Sequence, residues 1–219
     1  MGILTPLEVS VRAALTATAI VTVCGIGLGY VLAKGRFPGR DLIEAAGCLP
    51  MALPPTVVGY YLLTQLGGPG PIRNASIAVL GHPLTFTFTG VVIAQAVESF
   101  PYCLRASRAA IAGVDPRLEQ AARTMGLPNW RVALGVTLPL ARRGIGAGVA
   151  MAFGRAIGDY GATSLVSGLF PGTTTMPLEL YHATFGGNAA VAQQLALIQV
   201  AVALTILLGV SRLGTIKAW

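Results

Sequence analysis

Charge is scarce in this 219-residue chain: Asp, Glu, Lys and Arg together make up 11% of it, and aromatic residues 7%. The length suits one or two soluble domains, but 54% hydrophobic residues with 28 Gly and 14 Pro fit a lipid-embedded protein better. The three cysteines, Cys24, Cys48 and Cys103, lie far apart without metal-ligand spacing, so they read as small packed thiols and no metal site is expected. The two histidines, His82 and His182, have no partner at metal spacing either and read as loop residues. A phosphate-cradling G-x-x-x-x-G-K-[ST] pattern is absent, so the chain has no recognisable ATP site of its own. Paired His, paired carboxylates and Ser–His arrangements are missing from the apolar stretches, which argues against an intramembrane enzyme. A pI near 9.8 invites a nucleic-acid reading, but the basic residues are not interleaved with aromatics and are separated by apolar runs.

Those runs are what the sequence has in abundance. A helix crossing the hydrocarbon core needs about 20 apolar residues. Five stretches qualify, giving predicted spans of about 10–33, 43–66, 83–104, 144–167 and 190–211, with Glu98 near the inner end of the third. The first is too long for a signal-peptide core and lacks a small-residue cleavage site before Lys34, so it is expected to stay as a helix. Lys and Arg collect on cytoplasmic loops. Lys34, Arg36 and Arg40 follow the first span, Arg105, Arg108, Arg117, Arg123, Arg131, Arg142 and Arg143 follow the third, and Arg212 and Lys217 follow the fifth. Only Arg12 and Arg73 fall on the other side, which predicts an outer N-terminus and a cytoplasmic C-terminus.

The cytoplasmic loop 105–143 contains a helix-shaped insert. Asp115 can cap a helix whose first residue is Pro116, where the missing N–H costs nothing. Gly126 supplies a left-handed stop and Pro128 blocks continuation. The resulting helix of about ten residues is about 15 Å long. Leu118, Ala121, Ala122 and Met125 share one face, and Glu119 with Arg123 forms an i,i+4 pair on the other. A helix this short is marginal alone, so it must pack against its own neighbours or another protein.

The stretch "QAARTMGLPNWRVALGVTLP" resembles the cytoplasmic signature of ABC-importer permeases: Glu-Ala-Ala, three residues, Gly, nine residues, a branched apolar residue, any residue, then Leu-Pro. The matching positions are Gln120, Ala121, Ala122, Gly126, Val136, Leu138 and Pro139, with Gln120 where the family often has Glu and Glu119 just before it. "KGRFPGRDLIEAAGCLPMALPPTVVGYYLL", "ESFPYCLRASRAAIAGVDPRLEQAARTMG" and "AFGRAIGDYGATSLVSGLFPGTTTMPLELY" are similar to stretches of molybdate/tungstate importer permeases, whose nearest relatives are sulfate permeases. The family's "GEFGAT" stands here as "GDYGAT".

The resemblance implies an all-α type I importer permease fold in its compact five-helix form, a single domain over 1–219, in a prokaryotic plasma membrane. It implies a homodimer with the path between subunits, two cytoplasmic ATP-binding subunits, an extracytoplasmic oxyanion-binding protein, and no cofactor in this chain, with ATP and Mg2+ held by the partner. It assigns the insert as the coupling helix, carried by Glu119, Gln120, Ala121, Ala122, Arg123, Met125 and Gly126.

Candidate path residues come from the spans themselves. Pro50, Pro54 and Pro55 interrupt the second, and broken membrane helices are tolerated where freed groups face protein or a water-filled cavity. Pro54, Pro55 and Thr56 are therefore either path lining or a packing kink. Arg155 and Asp159, four apart in the fourth span, are expected to pair, either locking helices or serving a gate or anion path. Glycines four apart, Gly25 with Gly29 and Gly154 with Gly158, permit close helix contact. The polar outer segment of Pro171, Gly172 and Thr173 to Thr175 can meet a substrate-delivery protein. A secondary transporter or channel is the rival class, but no internal repeat is evident.

Overall fold

The computed structural model describes residues 4–168 and 172–215, and every regular element among them is helical. Pro171 and Lys217, and the side chain of Arg212, lie outside the described residues. In chain order the helices are α1 (Leu4–Lys34), α2 (Arg40–Ala52), α3 (Pro55–Gly67), α4 (Pro71–Leu80), α5 (Phe88–Ala112), α6 (Pro116–Thr124) and α7 (Asn129–Val132). A π-helical turn over Ala133–Thr137 then leads into α8 (Leu138–Ile157), followed by α9 (Gly161–Ser167), α10 (Met176–Phe185) and α11 (Ala189–Thr215).

Two helical stretches, Thr5–Lys34 and Ala189–Ile206, are long and apolar enough to cross a membrane, and α2 with α3 passes as a pair bent by 110°. Helices α5 and α8 are as long, at 25 and 20 residues, but less apolar. Their polar groups explain the difference: α5 buries Gln95, Glu98, Ser99 and Ser107, and α8 carries Arg142, Arg143 and Arg155.

Helix α5 is the centre of the bundle, with twelve of its 25 residues buried. It starts at Thr87, whose hydroxyl oxygen accepts the Gly90 N–H at 3.2 Å. It packs along α1 through Ala13 and Ala17 against Val91 and Val92. Further in, Gly25 and Gly29 let the backbones close: added Cβ atoms would stand 3.0 Å from Cys103 Sγ and 3.1 Å from the Arg108 nitrogen. The pair Gly154 and Gly158 makes no such approach; the nearest atom from another helix to a Cβ at Gly154 is Ile206 Cγ2 at 3.7 Å. Along α11, Leu195 packs near Leu7, and Val202 and Ile206 near Val11 and Ala14. That order makes α11 run parallel to α1.

Three sequence expectations need correction. The third apolar stretch continues as helix to Ala112, so Glu98 is its eleventh residue rather than near its inner end, and Arg105 and Arg108 are still helical. They stay on the helix because α2 receives them: Arg108 pairs with Glu44, and Arg105 Nη1 reaches Met51 Sδ at 3.8 Å. The fourth stretch is broken, since α8 ends at Ile157 and α9 begins at Gly161. In the second, Pro50 is accommodated inside α2, and the break falls at Leu53 and Pro54, both extended. Helices α4 and α10, which the apolar pattern did not announce, each start with proline in the first turn. Helix α10 is tied to α1 by the Met176 N–H, which donates to Ser10 Oγ at 2.7 Å.

Candidate functional site

The insert folds as its punctuation requires. Asp115 Oδ1 accepts the Arg117 N–H at 2.8 Å, Pro116 opens α6, and Gly126 turns left-handed at φ 81° to end it. Space around Gly126 is open, so glycine is needed there for its φ and not for a close approach.

The orientation of α6 differs from an ordinary amphipathic helix. Glu119 and Ala122 are its buried residues, whereas Leu118 is 50% and Met125 74% exposed. Glu119 Oε1 lies 2.7 Å from Lys34 Nζ at the end of α1 and accepts the Thr137 hydroxyl at 2.7 Å from the π-helical turn. Arg123 is the weaker partner at 3.9 Å, and its Nε donates to Asn129 Oδ1 at 3.1 Å. The expected i,i+4 pair is present, but Glu119 is turned into the protein rather than outward. Burial alone would raise the Glu119 pKa; hydrogen bonds from Lys34 and Thr137 and the charges of Lys34 and Arg123 outweigh it and hold the carboxyl below its ordinary value. Gln120, Ala121, Arg123, Met125 and Gly126 are exposed, and Trp130 and Leu134 extend the apolar surface beside them. The helix is thus anchored by its polar side and leaves its apolar side chains exposed.

The second constellation joins the two helix breaks. Pro55 and Gly161 meet so closely that a Cβ on Gly161 would stand 2.6 Å from Pro55 Cβ, and a Cβ on Gly59 would stand 2.8 Å from Ala162 Cα. Pro54, Pro55 and Thr56 are exposed at the bend. Just beyond it Arg155 Nη1 donates to Asp159 Oδ1 at 3.0 Å, as expected, and Nη2 donates to Glu98 Oε2 at 2.5 Å. Asp159 Oδ2 accepts both the backbone N–H and the hydroxyl of Thr163, at 2.9 and 2.6 Å, which starts α9 beyond the break. Three ionisable side chains thus pin α5, α8 and the start of α9 together.

Sequence reasoning missed Glu98 as the third member of that cluster and Lys34 and Thr137 as the anchors of Glu119. A lone acid in an apolar stretch implies a buried cation, which was a usable signal for Glu98. No short-range pattern announces Lys34, 85 positions from Glu119. The two constellations are separate: Thr137 and Arg155 lie at opposite ends of α8, 18 residues or about 27 Å apart along the axis.

The whole arrangement is that of a helical bundle with helices long and apolar enough to cross a membrane and one short, exposed helix set between two long ones. Residues 25–216 match the family of binding-protein-dependent transport system inner membrane components, and the chain belongs to that family. It is 42% identical to the molybdenum transport system permease protein ModB of Escherichia coli K12 over 84% of this chain and 81% of the relative. It is 32% identical to the molybdate/tungstate transport system permease protein WtpB of Thermococcus kodakarensis over 87% of this chain and 71% of the relative. A bacterial alginate ABC transporter, solved with its alginate-bound periplasmic protein, has the same fold: TM-score 0.75 and 16% identity over 97% of this chain and 78% of that one.

Proposed function

We propose that this chain is the membrane-spanning permease subunit of an ATP-driven molybdate importer. The observation that carries the reading is α6, anchored inward through Glu119 and presenting Leu118 and Met125 outward. Such a surface fits a groove on a separate ATP-hydrolysing subunit, with Gln120, Ala121 and Arg123 at the contact and Glu119 setting the tilt from behind. ATP and Mg2+ belong to that subunit, and this chain performs no chemistry of its own. The likeness to ModB supports molybdate over the related oxyanions, and an extracytoplasmic protein delivers it.

Five crossings, with the N-terminus outside and the C-terminus cytoplasmic, agree with the parallel run of α1 and α11. Two copies pair around the path, two ATPase subunits attach at the two α6 helices, and their closure is transmitted along α8 to the second break. The Arg155 guanidinium is held by a carboxyl group on each side and so is already committed, which suits a lock and not a dianion site. The exposed bend at Pro54, Pro55 and Thr56 is the better lining.

The test is uptake by proteoliposomes holding this chain, its ATPase subunit and its binding protein. ATP-dependent accumulation of molybdate, with tungstate competing and sulfate competing poorly, is the expected result. Accumulation without the ATPase subunit would overturn the reading, and sulfate preferred to molybdate would move the substrate.

A further inference from the structure

A polar cavity of about 340 Å3 opens where α1 ends, bounded by the turn into α2 and by the connection from α5 to α6. Lys34, Arg36, Arg40, Pro116 and Glu119 line it. Lys34 is committed to Glu119, so those two charges cancel. Arg36 and Arg40 have no ion-pair partner among the described residues, and Arg40 Nε is buried without any hydrogen-bond partner. The cavity therefore carries two uncompensated positive charges, and one desolvated donor lacks an acceptor. An unpaired buried N–H is costly, and an anion in the cavity removes that cost.

Position narrows the chemistry. Lys34 is the last residue of the apolar stretch Thr5–Lys34, so the cavity sits where a membrane helix leaves the hydrocarbon and meets the headgroups. Basic pockets between helices at that depth take lipid phosphates.

We propose that this cavity binds a phosphate group, presented either by an anionic phospholipid of the adjacent leaflet or as a free tetrahedral oxyanion. Arg36 and Arg40 hold it bidentately or singly, and the wall it shares with Glu119 puts the ligand beside the anchor of α6. The inference requires only that α1 crosses the membrane; it does not depend on which oxyanion is transported.

The experiment uses the full chain purified in a neutral detergent, with thermal unfolding followed as three additives are titrated: dioleoylphosphatidylglycerol, dioleoylphosphatidylcholine and sodium phosphate. Phosphatidylglycerol is expected to raise the midpoint and phosphatidylcholine is not. The double variant Arg36→Gln/Arg40→Gln is expected to weaken the apparent affinity on the order of 25-fold at low salt, about fivefold per arginine. Arg73→Gln, which removes one positive charge outside the cavity lining, serves as the comparison for the single variants Arg36→Gln and Arg40→Gln and keeps wild-type affinity. A shift with phosphatidylglycerol alone identifies the lipid as the source; an equal shift with sodium phosphate identifies the free ion. If the Gln variant does not accumulate, Arg36→Lys/Arg40→Lys, which keeps the charge, and mass spectrometry of lipids retained by the wild-type chain answer the same question. No shift with either anion, an equal shift with phosphatidylcholine, or unchanged affinity in the Gln variant would overturn the proposal.

Discussion

Lys34 Nζ and Glu119 Oε1, 2.7 Å apart, join the last residue of α1 to the middle of α6. The bond is nearly dry on the carboxylate side and ties the long apolar helix α1 to α6. Removing either partner, by Lys34→Met or Glu119→Gln, is expected to cost about 2 kcal/mol. For a chain of this size that corresponds to a midpoint about 4–8 °C lower. A double-mutant cycle read by thermal unfolding checks it, with a coupling energy of roughly 0.5–3 kcal/mol expected and strict additivity counting against the bond.

Acid should release the same anchor. The folded-state pKa of Glu119 is depressed, so its contribution is present above the ordinary Glu value of about 4.3 and is lost as pH falls through the folded value. Hydrogen exchange of the α6 amides, after correction for intrinsic rates, should show protection that is flat from neutral pH down to the ordinary carboxylate range and then falls. Glu119→Gln should lack that step.

Leu118 and Met125 are 50% and 74% exposed, and neither belongs to a buried cluster among the described residues. Leu118→Asp and Met125→Asp are therefore expected to change the chain's own stability by no more than about 0.5 kcal/mol. Co-purification with the ATPase subunit should nevertheless fall at least tenfold, since central apolar contacts of this kind are worth about 1.4 kcal/mol or more at an interface. Retained assembly in both variants would mean that the partner docks elsewhere.

Within the ionised cluster the cation matters most. Arg155→Met leaves Glu98 and Asp159 buried without a counter-charge and should cost about 3–5 kcal/mol, visible as loss of folded protein in membranes. Glu98→Gln removes one of two negative charges and should be the mildest change. Asp159→Asn falls between, because it also disturbs the two hydrogen bonds from Thr163. An inverted order, with Glu98→Gln the worst, would show that the carboxylate and not the arginine is the centre of the cluster.

At the meeting of the two breaks, Gly161→Val is expected to cost at least about 2 kcal/mol, since its Cβ would overlap Pro55. Gly158→Ala, where the nearest atom is an ordinary 3.4 Å away, should be tolerated. Thermal unfolding of the two variants side by side checks the contrast.

Much of this was legible in the sequence because it is local. Asp115, Pro116 and Gly126 fix the ends of α6 by chemistry acting within one turn, and i,i+4 spacing announced Arg155 with Asp159. The direction in which α6 faces was not legible. Helical periodicity shows that Leu118 and Met125 lie apart from Glu119, but which side is buried depends on Lys34 and Thr137, brought near by tertiary packing. The break at Gly158 was hidden for a similar reason: an apolar run with small residues scores as a continuous helix, and only the Asp159 to Thr163 bonds show where it restarts. Helices α4 and α10 are too short and too mixed to stand out from loops.

The contact of Pro55 with Gly161 couples two kinks that are more than a hundred residues apart. A ring seated against a bare backbone leaves neither bend room to straighten while the other keeps its shape. The second and fourth segments are meshed like teeth at their corners, with no side chain on Gly161 to hold them apart.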